Sequence, residues 1–219
     1  MKPFNEHIIE ILSKAILKDE YSAVEQHKTL HEGALVDGEK HLLQFLQTAI
    51  SNKVSSTILN IGSGGVGLQS MVGDPVIDLD PCPQRKTDNV VEGWCENIPL
   101  RNKGVGIMVC WGTFCFVRSV QETLHEFNRV LDEGGFLVVD TATYSTMPLV
   151  QTVNPECFVR YAQLFGFEVW GQQPFGEKYF QRTAFLFKKV EDFNINKLRM
   201  PQAVGGVRNY LEERDFYLM

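Results

Sequence analysis

Apolar residues recur every three to four positions in "FNEHIIEILSKAIL" and again in "EKHLLQFLQTAI", which predicts helices with one buried face over the first 55 residues. At Thr57 the period changes. The runs "TILNI", "PVIDL", "NVVEG", "VGIMVCW" and "GFLVVDTA" are short, β-rich and mostly apolar on both faces, as strands inside a parallel sheet require. Helical stretches fall between several of them. In "VQETLHEFNRVLDEGG" the residues Leu124, Phe127, Val130 and Leu131 form an apolar stripe, and Gly134 with Gly135 supplies a stop. Further on, "NPECFVRYAQLFGFEVWG" predicts an Asn-capped helix running into a strand at Phe167, and "QRTAFLFKKV" a last strand. This alternation predicts a doubly wound α/β sheet. The chain divides accordingly into a helical cap (1–55), an α/β core (56–190) and a polar tail (191–219) within one domain.

Composition narrows the function classes. A chain of 219 residues at 44% hydrophobic can bury one sizeable core and leaves little room for two. Its 27 acidic residues outnumber 21 basic ones, and the basic ones are scattered, so no nucleic-acid partner is expected. The longest apolar runs are five to seven residues, and the opening "MKPFNEHIIEIL" carries charges where a signal peptide needs an unbroken apolar stretch. A cytoplasmic protein with no membrane association is the expectation. The five cysteines, Cys82, Cys95, Cys110, Cys115 and Cys157, are odd in number and form no C-x-x-C pair, so neither a disulfide framework nor a zinc site is expected.

The candidate chemistry begins at "TILNIGSGGVGLQSMVGDPVIDLD". Gly62, Gly64 and Gly67 match G-x-G-x-x-G, the pyrophosphate-binding pattern of dinucleotide folds, with Asp78 and Asp80 a little under twenty residues on. Chain length argues against that reading. Only seven residues separate Gly67 from Pro75, about 10 Å of helix at most, whereas a pyrophosphate-binding crossover helix runs for several turns.

The order "ILNIGSG", "VIDLDP", "VVEGWCENIPL" and "EFNRVLDEGGFLVV" resembles the class I S-adenosylmethionine-dependent methyltransferases, in particular a small-molecule type with a short LNIGSG opening. The resemblance covers Thr57 to Asp140. It rests on the combination of motifs, since the glycine pattern alone is weak. It implies a Rossmann-like, seven-stranded, mostly parallel sheet with helices on both faces, an antiparallel last strand and an N-terminal helical cap. It also implies S-adenosylmethionine as cofactor, transfer of its methyl group to a small-molecule acceptor, and no metal. A non-catalytic, partner-binding relative that has lost the cofactor is the alternative. Neither the acceptor nor the oligomeric state has a signature in the sequence.

Site residues follow from the same comparison. Ser63 and Gly64 lie where the first strand turns toward a helix, where small residues let a ligand approach the main chain and N–H groups can meet a carboxylate. Asp78, at the end of the second strand, is the expected acceptor for both ribose hydroxyls, with Asp80 its competitor and Leu79 packing on adenine. Trp94, Cys95 and Glu96 would edge the adenine. Cys110 and Trp111, with Gly112 and Thr113, would lie beside the transferable methyl.

Departures from the family pattern fall at Asn60, which replaces an acidic residue, at Val66, which holds the place of the third glycine, and at Trp94, which stands where an acidic residue is usual. The indole of Trp94 can stack on the base or fill its pocket. The usual aspartate of the fourth strand is Gly106, and Phe116 replaces a histidine. A sulfonium methyl is already activated, so holding the acceptor in line supplies most of the catalysis, roughly 7 to 11 kcal/mol. If a base is needed, His27, His31 and Tyr144 are the candidates. His27 and His31, four residues apart, would also suit a metal, but no third ligand is evident. The aromatic stretch Trp111–Phe116, with Tyr144 and Met147, would line an apolar acceptor pocket.

Overall fold

The computed structural model describes residues 38, 40–63, 68, 75–83, 89–145, 151–177 and 180–195. His27, His31, Gly64, Val66, Gly67, Met147 and most of the expected tail lie outside the described residues.

The described elements are helix α1 (residues 40–51), strands β1 (Ile58–Ile61), β2 (Val76–Asp80), β3 (Val90–Glu92) and β4 (Val105–Cys110), a 3₁₀ turn (Phe114–Phe116), helix α2 (Val120–Val130), strand β5 (Leu131–Ser145), helix α3 (Pro155–Leu164), and strands β6 (Phe167–Glu177) and β7 (Phe180–Lys189). The seven strands form one sheet in the order β3-β2-β1-β4-β5-β7-β6. All pairings are parallel except those of β7, which runs antiparallel to both β5 and β6. The expected Rossmann-like sheet with an antiparallel last strand is therefore observed. The chain starts at mid-sheet, steps outward to β3 and returns to β4, so strand order reverses between β1 and β4. A reversal of this kind opens a crevice at the carboxyl ends of the strands.

Two apolar layers cover the sheet. On one face Leu42, Phe45, Leu46 and Ala49 of α1 pack with Ile58, Ile107, Val109, Phe136, Val138 and Leu186. On the other, Leu124 and Phe127 of α2 and Phe158 and Ala162 of α3 pack with Leu59, Met108, Leu137, Phe185 and Phe187. Successive residues of each strand thus alternate between faces, and the inner strands are mostly apolar on both, as their sequences predict. Gly106 interrupts the alternation with a register shift in the β4–β5 pairing. A side chain there would run into the Ser55 carbonyl, which explains why an aspartate has no place at this position. No helix among the described residues is long and apolar enough to cross a membrane.

The helix after β4 ends four residues before the expected glycine stop. Ser119 caps its start by accepting from the Glu122 N–H at 3.2 Å, and it stops at Val130 because Leu131 pairs with Val105 in the sheet. Its open carbonyls find a cation instead of a glycine turn. Lys189 is fully buried, and its ammonium donates to the Asn128 carbonyl at 2.6 Å and the Leu131 carbonyl at 3.0 Å, where the negative end of the helix dipole favours it. Asn154 caps α3 as predicted, accepting from the Glu156 and Cys157 N–H groups.

Candidate functional site

The carboxyl ends of β1, β2 and β4 and the segment after β3 meet at a cleft of about 280 Å³. Its walls are Ile61 and Gly62 from the β1 exit, Leu79, Asp80 and Pro81 from β2, Gly93–Glu96 after β3, and Gly112, Thr113 and Phe116–Arg118 after β4. The site is therefore built from four separate strand ends. Two positions depend on glycine. Gly62 has φ +70°, and a Cβ on it would land on the Thr113 side chain. A Cβ on Gly93 would come within 2.8 Å of Pro99 and 2.9 Å of Leu79. Each glycine lets two segments close around the cavity.

Of the residues singled out in the sequence, Gly62, Leu79, Trp94, Cys95 and Glu96 line the cleft together. Asn60, Asp78, Cys110 and Trp111 do not. Strand register explains the first pair. Asn60 sits opposite Asp78, on the α1 side of the sheet, and its amide donates to the Asp78 carboxylate at 2.7 Å. Both are buried. The next residue on that face of β2, Asp80, is buried as well but belongs to the cleft wall, and its carboxylate accepts the Cys82 N–H at 2.8 Å. Cys110 is wholly buried in the core beneath the crevice. Trp111 stacks on Phe175, with ring centroids 5.6 Å apart and planes 6° apart. Tyr144 is exposed near the end of β5, outside the cleft walls.

The Gly62 N–H donates to the Leu79 carbonyl at 2.7 Å, and the Ser63 N–H reaches the same oxygen at 3.5 Å. These two groups tie β1 to β2 rather than waiting for a ligand carboxylate. Glu96 is spent in a similar way: its carboxylate accepts the Arg118 N–H at 2.5 Å and the Ser119 N–H at 3.3 Å, which fixes the start of α2 against the segment after β3. Trp94 forms a wall and does not plug the cavity. The Arg118 guanidinium carbon lies 4.1 Å from its ring centroid, a cation–π contact at the mouth.

A second polar cluster borders the cleft from the β5–β7 side. Asp140, 1% exposed, and Arg182, 8% exposed, form an ion pair, and Asp140 accepts the Gly112 N–H at 2.6 Å. Burial pushes the Asp140 carboxyl up, against the pull of Arg182 and the Gly112 N–H. Burial likewise holds the nearby Cys115 thiol up to about 12. Phe175, Trp111 and Phe180 surround the guanidinium at 5.2, 5.7 and 5.7 Å, so these rings pack on the arginine. The sequence signal for this pair is a charge inside an otherwise apolar strand, in "FLVVDTA" and in "QRTAFLF"; such a charge calls for a buried partner.

The cleft suits an adenosine. Ile61, Leu79, Pro81, Cys95 and Val117 offer apolar walls for a base, and Asp80 sets a carboxylate at the end of β2 where a diol would be held.

Comparison with curated proteins gives no match. Residues 59–139 match the family model described as a methyltransferase domain. Among solved structures, a methyltransferase from Galdieria sulphuraria provisionally assigned to sarcosine and dimethylglycine aligns at TM-score 0.60 and 12% identity, over 72% of this chain and 87% of that one. An S-adenosylmethionine-dependent methyltransferase from Thermotoga maritima aligns at 0.53 and 18%, over 76% and 97%. A methyltransferase of Haloferax volcanii, solved with the Trm112 activator, aligns at 0.54 and 12%, over 73% and 95%. At these identities the structures attest the shared fold. Residues 59–139 thus match a methyltransferase domain, and the chain around them has the Rossmann-like fold that these S-adenosylmethionine-dependent methyltransferases share.

Proposed function

We propose that the chain methylates a small-molecule acceptor, with the nucleoside part of the cofactor held between the Gly62 turn and Asp80. The observation that carries this reading is the open cleft at the strand-order reversal, with a carboxylate at the end of β2 and a glycine turn opposite. Asp80, and not Asp78, is the residue proposed to accept the ribose hydroxyls, because Asp80 is part of the cleft wall and Asp78, held by Asn60, is not. Leu79 and Cys95 pack against the base, and Trp94 closes the mouth with Arg118 behind it.

When bound, the cofactor supplies an activated methyl group. What remains for the protein is to hold the acceptor in line and keep water out. Phe116, 43% exposed, and Val117 give the cleft an apolar side on which an acceptor can rest. The openness of the cavity supports this reading over a partner-binding role that has lost the cofactor.

Calorimetric titration with S-adenosylhomocysteine tests it. Binding in the micromolar range is expected, weakened by Asp80→Ala. Absence of heat at millimolar ligand, roughly the weakest binding such a site would need, overturns the cofactor assignment for this cleft.

A further inference from the structure

We propose that the buried Arg182–Asp140 pair is a positioning device for the cofactor cleft, acting through the backbone of Gly112; the proposal rests on the methyltransferase reading above. A buried ion pair is a poor source of stability, since well-packed apolar residues of similar volume often serve as well or better. This pair does something an apolar pair cannot. One carboxylate oxygen of Asp140 meets Arg182, and the other accepts the Gly112 N–H at 2.6 Å. Gly112 has φ +70° and forms the corner by which the chain leaves β4.

That corner sets the next residue. Thr113 lies against Gly62 so closely that any Cβ on Gly62 would strike it, and its hydroxyl is 3.5 Å from the Gly62 carbonyl oxygen. Gly62, Gly112 and Thr113 are all cleft walls. A shift of the Gly112 corner is therefore passed through Thr113 to the glycine turn on the opposite side. Arg182 itself comes from β7, and its guanidinium stands 3.6 Å from where a Gly112 Cβ would be, so it fills the space behind the corner while fixing the carboxylate that holds it.

Two double variants of the full chain separate positioning from packing. Arg182→Met with Asp140→Leu removes both charges and the acceptor for Gly112, whereas Arg182→Met with Asp140→Asn removes both charges but keeps a side-chain oxygen for it. The Leu variant is expected to shift the Gly112 and Gly62 amide resonances and to weaken S-adenosylhomocysteine binding by about tenfold or more, while the Asn variant, which keeps an acceptor but lacks the guanidinium that aims it, shows smaller shifts and an affinity loss of about threefold. A Leu variant whose Gly62 amide is unmoved, or which binds as wild type does, overturns the proposal. If wild-type protein binds no S-adenosylhomocysteine, the cofactor reading fails separately, and the Gly62 amide alone decides whether the pair positions the turn.

Discussion

At the residue scale, the two aspartates on one face of β2 are proposed to divide into different jobs, and a pair of substitutions tells them apart. Asp80→Ala should weaken S-adenosylhomocysteine binding about ten- to hundredfold, because hydrogen bonds to a charged group are worth about 1.5–3 kcal/mol. Asp78→Ala strands the buried Asn60 amide, so its effect should appear mainly in denaturation, as a loss of about 1–3 kcal/mol. The reverse pattern would return the ribose to Asp78. In the sequence both aspartates fit the motif; that β2 runs on to Asp80 and sets Asp78 opposite Asn60 is a matter of strand register, which a motif does not carry. Trp94 was ambiguous for a similar reason, since its partner Arg118 lies on another segment. Thiol chemistry gives a second test at this scale. Cys157 is exposed, whereas Cys110 and Cys115 are buried and burial pushes both thiols up, Cys115 to about 12. Iodoacetamide at about pH 8 should therefore alkylate Cys157 in the folded protein and spare the other two until denaturant is added.

Among the elements, α2 shows what hydrophobic period reveals and what it hides. Leu124, Phe127 and Val130 are fully buried, as the stripe predicts. The helix end was misplaced because a glycine pair is a local signal, whereas Lys189, which supplies the observed cap, arrives from the far end of the chain. Lys189→Met should cost about 3 kcal/mol, two charge-assisted hydrogen bonds lost from buried carbonyls, read by urea denaturation. Glu126 anchors the same helix to the segment after β3, accepting from Arg129 at 2.7 Å and from the Ile98 N–H at 2.8 Å. Burial alone would raise its carboxyl, but the Arg129 and Ile98 hydrogen bonds outweigh it and hold the group below its ordinary value. A carboxylate depressed in the folded state adds stability above its unfolded pKa and loses it as pH falls through the folded one. The stability gap between wild type and Glu126→Gln should thus be present at neutral pH and close on acidification; a gap independent of pH would deny Glu126 this role.

For the whole molecule, the strand pattern made the sheet legible in the sequence, and the short segment after the glycines is what argues against a dinucleotide there. What stayed hidden was everything that depends on which strands become neighbours, above all the meeting of Asp140 with Arg182. A ligand that binds only the folded state stabilises it by about 2.7 kcal/mol at a hundred times its Kd, so saturating S-adenosylhomocysteine should raise Tm by about 5–10 °C in a chain of this size. NADH at equal concentration should leave Tm where it was, and a matching rise with NADH would revive the pyrophosphate reading of Gly62.

The seat of β7, last in sequence yet wedged between β5 and β6, also sets an order of events during synthesis. Every cleft wall has left the ribosome once Arg118 emerges, but the brace on Gly112 must wait for Arg182, a lag of several seconds at about 5–20 residues per second. Nascent chains stalled with β6 exposed and β7 still in the exit tunnel should hold only β3-β2-β1-β4-β5 as a sheet, since β6 joins through β7, and a cleft that has not yet matured, and ligand capture should switch on only as the final strand slides home.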